Sequence, residues 1–429
     1  MSRLDSTPEP AAMPAAHLDV ARHLEEAGIG AWHQGDGLLA DLLSPAKQAE
    51  CAAALRPHSS IQRSRPSRAL LCNADARALA AALPHAVVTS ESRRRFSLGT
   101  AAGPIDLLPF GDQSIEGLLE RFGLSALAFA WRPMGEELCD PTGALDLLSR
   151  GLLDVVGDGS GAEAFRIAPR RYWIAARLLS EYNLEPTPRL VAAARTALPS
   201  CRKQIPEGSP ARRELQRVLL GQNPTAGLRF LHQTGLFEAL FPGTDPSGAE
   251  IVGRIDANPS LRWAVSLEGA STQRALRRLR MPPRRAREIE RLLRHHPIDR
   301  TTAAPAVGDA GVRRLRQRLH PEEIEYLLGW RSIQLEGLAP SSEILSAQAR
   351  LVEIRTQLES LAGEQSQSDR IKALAIDGAA VMKLLGRGPG RYIGQALAHL
   401  AEVVAATPEA NEVARLEVEL QHWAKLHPE

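Results

Sequence analysis

The sequence predicts an α+β chain, a small mixed-sheet head followed by an elongated all-α remainder. The first observation is a set of short apolar runs near the start: Arg68–Cys72 (RALLC), Ala86–Thr89 (AVVT), Arg95–Leu98 (RFSL) and Pro104–Phe110 (PIDLLPF). Each is too short for a helix and reads as a strand, whereas Ala74–Leu83 has helical character. The second is a change of period after Pro141, where apolar residues recur at i, i+3, i+4 and i+7, as in Leu215, Val218 and Leu219, then Leu228, Leu231 and Leu236. That spacing lays one apolar stripe along a helix. The third is punctuation: breaks are expected at Pro206–Pro210, Pro242–Gly248, Pro297–Gly311 and Gly363–Asp369. They divide the chain into a disordered tail (1–16), a head (17–150) and helical segments 151–243, 244–365 and 366–429. The first sixteen residues are rich in Pro, Ser, Glu and Ala and bury too little surface to offset ordering entropy.

At 429 residues and 44% hydrophobic, the chain has the size and apolar content of a multidomain globular protein. Its net charge is only +2, but Lys47, Lys203, Lys372, Lys383 and Lys425 are its only lysines, so nearly all positive charge is guanidinium. Arginine forks match phosphate and stay charged at any physiological pH. Cys51, Cys72, Cys139 and Cys201 are far apart, without the spacing of a disulfide framework or zinc finger. No metal site is read from the cysteines. Without an apolar leader or a run of about 18 apolar residues, a cytoplasmic location is expected.

Three segments carry a family resemblance. Ala375–Asn411 (AIDGAAVMKLLGRGPGRYIGQALAHLAEVVAATPEAN) resembles the tail of bacterial class II tRNA nucleotidyltransferases, the CCA-adding enzyme and poly(A) polymerase family. The matches are Ile376, Gly378, Met382, Leu385, Gly386, Pro389, Gly390, Ile393, Gly394, Leu397, Leu400, Val403 and Asn411. A helix, a Gly-Pro-Gly turn and a second helix are expected there. From Leu215 to Phe241 the chain resembles the family's neck through Asn223, Pro224, Gly227, Leu228, Leu231, Gly235, Leu236, Leu240 and Phe241, continuing to Pro242. Leu138–Gly151 is similar to the junction between head and neck, with Asp140, Pro141, Gly143 and Asp146 retained.

The resemblance implies two-metal transfer of a nucleotide to an RNA 3′-hydroxyl, and the residues depart from it in four places. Two carboxylates spaced DxD on one strand should hold Mg²⁺, because alternate strand residues point the same way. The matching run, Arg68–Cys72, contains no acid, and Asp75 beyond it reads as a helix cap. The phosphate-binding turn "GGxxRD" is matched by Asp36–Asp41, which keeps Gly37 and Asp41 but loses the arginine and the other glycine. In Glu120–Phe129 the apolar end of "RRDFTxNALAY" survives, with Arg121 in the acid's place and Ser125 in the asparagine's. The base-reading template "EDxxRxxR" aligns with Ile167–Ile174, where only Arg171 remains. Asp106 and Asp41 are the remnant catalytic candidates, and Gly37, Arg121 and Arg171 the nucleotide-binding ones. A catalytically impaired head is therefore expected.

The densest positive stretch is Arg274–His296. Helical spacing turns Leu276, Leu279, Ile289, Leu292 and Leu293 inward and Arg277, Arg278, Arg280, Arg284, Arg285, Arg287, Arg291 and Arg294 largely outward. A second basic run, Arg166–Arg177, lies beside the template. With Gly388, Gly390 and Arg391 of the tail turn, the main cluster forms the expected RNA-binding set, and tRNA or a tRNA-like 3′ end is the expected partner. No cofactor is required on this reading. Mg²⁺ with ATP or CTP belongs to the alternative, an active nucleotidyltransferase with displaced ligands, and a helical protein scaffold is the third reading.

Overall fold

The computed structural model describes residues 15–35, 38, 69–90, 95–100, 103–157, 159, 161–301, 312, 315–316 and 318–427. The turn carrying Gly37 and Asp41 lies outside them, as does Cys51. Two compact units are present, Met1–His295 and His296–Glu429, and the division falls inside the expected segment 244–365.

The first unit opens with helix Ala15–Glu26 and a seven-stranded sheet. Its strands are β1 (Ala31–Gln34), β2 (Ala69–Cys72), β3 (Val87–Ser90), β4 (Arg95–Thr100), β5 (Gly103–Pro109), β6 (Ala130–Arg132) and β7 (Glu137–Cys139). They lie in the order β3-β4-β5-β2-β1-β6-β7. Only β2 and β5 run parallel, and the other pairings are antiparallel. Leu70, Cys72, Phe96, Ile105 and Leu107 pack on one face under Ala21 and Leu24 of the first helix and Leu79 of helix Ala76–Ala82. On the other face Trp32, Leu71, Phe110, Leu119 and Ala130 form a second cluster.

The four strands expected from sequence are present, and the sheet has three more that were not foreseen. In β1, His33 and Gln34 are as buried as Ala31, so polar residues occupy core positions and mask the period. The other two, β6 and β7, are three residues each, too short to show alternation.

Among the described residues from Ala144 onward, the regular elements are helices apart from the two-residue parallel pair Leu152–Leu153 and Glu185–Pro186. Helices Arg171–Glu181, Ser209–Leu220 and Pro224–Gln233 pack on one another. Gly227 explains the closeness: a Cβ there would stand 2.5 Å from the Ala176 carbonyl oxygen and 2.7 Å from Val218 Cγ1. Asn223 accepts from the Ala226 N–H at 3.1 Å and starts its helix with Pro224 at the first turn. Buried Arg177 joins Glu181 (2.9 Å) and Glu214 (3.1 Å), and Glu181 also takes both prongs of Arg217.

The second unit comprises helices Ile298–Thr301, Pro321–Glu336, Ser342–Lys372, Gly378–Leu385, Tyr392–Ala406 and Val413–Leu426 among its described residues. The break expected at Gly363–Asp369 is absent, because helix Ser342–Lys372 runs through it. Glu and Gln are good helix formers, and one glycine costs a long helix only about 1 kcal/mol. Fully buried Asp299 is gripped by Arg331 at 2.9 Å and approached by Arg350 at 3.9 Å, which ties the first three helices together.

Candidate functional site

The register of the head sheet places Asp106. Gln34, Ala69, Asp106 and Ser97 stand in one row across β1, β2, β5 and β4. Two residues along, Leu71 and Leu108 are neighbours in the apolar cluster, so Ala69 and Asp106 share that face. A metal pair beside Asp106 would need carboxylates on this face of β2, where the chain presents Ala69 and Leu71. Neither side chain offers a lone pair. Among the described residues no group of three or more His, Cys, Asp or Glu side chains converges on a point. Asp75, the nearest acid in sequence, accepts from the Ala78 N–H at 2.7 Å and caps helix Ala76–Ala82. The described residues therefore do not fit a Mg²⁺ pair.

The retained junction residues have structural roles. Asp140 accepts from the N–H groups of Ala144 (2.9 Å) and Leu145 (3.0 Å), starting helix Ala144–Ser149, while Gly143 takes a left-handed conformation with φ 67°. Ser125 is buried, and its hydroxyl accepts from the Asp154 N–H at 3.0 Å. The Asp154 carboxylate in turn accepts from Thr187 Oγ1 at 2.6 Å and faces Arg189 at 3.6 Å. Sequence reasoning missed Asp154, which follows a two-residue strand and has no local signature.

The two arginine candidates of the nucleotide site come together. Arg171 donates through Nη2 to the Arg121 carbonyl at 2.6 Å and through Nη1 to the Ala164 carbonyl. Its guanidinium fills the space over Gly123, whose φ is 75°. Burial and the positive charge of Arg170 pull its pKa down to about 10, so it remains charged at neutral pH. The Arg121 side chain is exposed and donates to Gln113 Oε1 at 2.8 Å. The second basic run is only partly a surface, since Arg177 is in the neck core.

The main basic stretch forms helices Thr272–Arg278 and Pro283–His295, with Leu276, Leu279, Ile289 and Leu292 buried as expected and Leu293 only half-buried. On the second helix Arg284, Arg287, Arg291 and Arg294 recur every three or four residues and make one stripe. Arg277, Arg280, Arg284, Arg287 and Arg294 are exposed; Arg285 and Arg291 are half-buried. Glu288 lies near Arg284 (3.3 Å) and Arg285 (3.8 Å) and also accepts from Ser260 Oγ at 2.6 Å. Arg278 departs from its expected outward placement. It pairs with Glu207 at 2.8 Å and donates to the Leu240 carbonyl at 2.8 Å, because it ends a helix whose inner face meets those groups. Arg262 was also missed: it is buried and donates to the carbonyls of Leu219, Asp256 and Ile255.

In the second unit, Asp377 caps helix Gly378–Leu385, Gly386 ends it with φ 62°, and helix Tyr392–Ala406 follows. Gly388, Pro389, Gly390 and Arg391 are exposed, as the tail reading expects. Tyr392 Oη lies 2.9 Å from the carbonyl oxygens of both Arg387 and Gly388 and holds the turn. Asn411 accepts from the Ala375 N–H at 2.8 Å and donates to the Ala373 carbonyl at 3.0 Å, which explains its place at the end of the motif.

Comparison with known proteins agrees with this architecture. Residues 192–247 match a family model described as the probable RNA and SrmB binding site of polymerase A. An A-adding tRNA nucleotidyltransferase of Deinococcus radiodurans is 26% identical over 410 residues, spanning 83% of this chain and 90% of the relative. The chain is thus similar to tRNA nucleotidyltransferases over most of its length, and to a polymerase A RNA-binding segment over residues 192–247. In fold it is similar to the Thermotoga maritima CCA-adding enzyme complexed with tRNA (TM-score 0.58, 17% identity, 96% of each chain). It is likewise similar to the Bacillus stearothermophilus CCA-adding enzyme in complex with CTP (TM-score 0.54, 18% identity, 97% of this chain and 99% of that one). The strand that the sequence resemblance matches to the DxD pattern, β2, reads Ala69-Leu70-Leu71-Cys72.

Proposed function

We propose that this chain is a cytoplasmic RNA-binding member of the tRNA nucleotidyltransferase family that engages tRNA or tRNA-like ends without two-metal nucleotidyl transfer. One observation carries the catalytic half of this reading: the residue directly across from Asp106 on the parallel strand is Ala69, and the next residue on that face is Leu71. A single carboxylate neither lowers the pKa of a hydroxyl nor stabilises leaving pyrophosphate as a clustered set does. The arginine stripe supports the RNA half. From Arg284 to Arg294 it extends about 15 Å at the helical rise of ~1.5 Å per residue, enough to follow several phosphates. No helix of the described residues is long and apolar enough to cross a membrane.

The test uses the full chain with tRNA lacking its CCA end. No CMP or AMP is incorporated in Mg²⁺ or Mn²⁺, while a gel shift persists and weakens steeply with salt. Reversing Arg284, Arg287 and Arg294 to Glu lowers the log–log salt slope by about 2 to 3, at ~0.7–0.9 per phosphate contact. The same reversal at Arg22, Arg150 and Arg415, three exposed arginines elsewhere, changes it little. Equal losses from both sets would reduce the effect to net charge.

The name of the Deinococcus relative favours a second reading, an active transferase. Incorporation that vanishes with Asp106→Ala establishes it. Loss of both incorporation and binding leaves the scaffold.

A further inference from the structure

We propose that a groove between helices Pro188–Cys201 and Pro224–Gln233 receives an extended peptide segment of a protein partner, one in which a basic and an acidic residue are separated by small apolar ones. The inference is independent of the RNA-binding reading above and uses none of the residues that carry it.

Each wall of the groove is one face of a helix. Pro188, Ala192 and Arg195 stand at i, i+4 and i+7 on the first, and Ala226, Arg229 and Gln233 at i, i+3 and i+7 on the second. Strand Glu185–Pro186, which leads into the first helix, completes the lining. The alanines leave a space of about 420 Å³, within the ~300–1,000 Å³ of ordinary ligand clefts. The fold leaves two opposite charges of this lining unanswered. Glu185 is exposed, and among the described residues its carboxylate makes no hydrogen bond or ion pair. Arg195 donates through Nε (3.0 Å) and Nη2 (2.8 Å) to the Gln233 carbonyl, and a carbonyl fixes a guanidinium without cancelling its charge. Arg229, on the opposite wall, is already paired with Glu250 at 2.7 Å. Glu185 lies before the first turn of its helix and Arg195 beyond the second, so the two charges stand about 10 Å apart at ~1.5 Å per residue. The helix start between them is fixed, because Thr187 Oγ1 accepts from the Leu190 N–H at 3.1 Å and donates to Asp154 at 2.6 Å.

This pattern selects by the sign of charge at each end. A nucleic-acid backbone is negative throughout and meets the unpaired Glu185 carboxylate, whereas a peptide can present both signs. A peptide in the polyproline II conformation rises ~3.1 Å per residue and returns to the same face every third residue. A basic and an acidic residue three positions apart therefore reach Glu185 and Arg195 together, about 9 Å from one to the other, with the residues between them over the alanine floor.

The experiment measures binding of fluorescently labelled peptides to the full chain by anisotropy. The probes are end-blocked Lys-Pro-Ala-Glu, variants of it with the two charges adjacent or two turns apart, and Glu-Pro-Ala-Glu. Lys-Pro-Ala-Glu is expected to bind about fivefold tighter than the others, the scale of one exposed ion pair. Glu185→Lys, at an exposed position without a partner, reverses the order, so that Glu-Pro-Ala-Glu binds best. Ala192→Leu fills the groove from an exposed position and removes binding of every probe. Equal binding of all probes, an order that Glu185→Lys leaves unchanged, or no binding at millimolar peptide overturns the proposal. Displacement of the peptide by a tRNA hairpin, with hairpin binding lost in Ala192→Leu, also overturns it and makes the groove a nucleic-acid site. Reversal of Arg284, Arg287 and Arg294 leaves peptide binding unchanged, so the failure of this proposal and that of the RNA reading are seen separately.

Discussion

Replacing Gly227 by alanine sets two effects of opposite sign against each other. In an open helix alanine is favoured over glycine by roughly 0.5–1 kcal/mol, because glycine loses more backbone freedom on folding. At Gly227 the added Cβ would lie 2.5 Å from a backbone oxygen, that of Ala176, and 2.7 Å from Val218 Cγ1, with Ser180 Cβ at 3.2 Å. Ordinary contact begins near 3.4 Å, so helices Arg171–Glu181 and Pro224–Gln233 must separate by most of an ångström. Overpacking of this kind costs about 1–3 kcal/mol, which exceeds the propensity gain and leaves a net loss of about 1–2 kcal/mol. Gly329 is the control: it lies inside helix Pro321–Glu336 with nothing within 4 Å of its Cβ position. There the same substitution stabilises by about 0.5–1 kcal/mol. Thermal unfolding followed by circular dichroism, with hydrogen exchange to localise the change, reads both signs. Gly227→Ala lowers the midpoint and speeds exchange in 171–233, whereas Gly329→Ala raises it. A rise at Gly227 would refute the claim that close backbone approach explains the neck glycine.

Two further outcomes test the packing that presents the site. Arg132 holds the Glu25 carboxyl below its ordinary value of 4.5 through two hydrogen bonds of 2.8 and 2.9 Å. A depressed carboxylate contributes stability that is present above the unfolded pKa and lost as pH falls through the folded one. Acid denaturation below about pH 4.5 is therefore shallower in Glu25→Gln than in the unaltered protein, and parallel acid limbs would show that the pair contributes nothing. Arg177→Met strands Glu214 while Glu181 keeps Arg217, so urea unfolding of the first unit should move by about 3 kcal/mol, the lower end for a broken buried pair. A neutral result would mean that the methionine packs as well as the network.

The sequence by itself determined the succession of a sheet-bearing head and helices, most of the strands and the tail hairpin. Each of these is local: strand runs show in adjacent residues, and the Gly386 turn ends one helix four residues beyond Met382, whose carbonyl it bonds. That β2 carries no acid was legible for the same reason, since Ala69–Cys72 is one short run. Tertiary structure alone decided which residues act at a distance. That Ala69 faces Asp106 follows from a parallel pairing across 37 positions of chain, and that Arg278 turns inward follows from Glu207, 71 residues away. Arg262 and Asp154 look like surface charges in sequence, yet folding surrounds one with carbonyl oxygens and the other with a serine, a threonine and an arginine from separate elements. A guanidinium or carboxylate has no intrinsic preference between solvent and such a cage; the backbone groups that converge on it choose, and their convergence is a property of the packed chain.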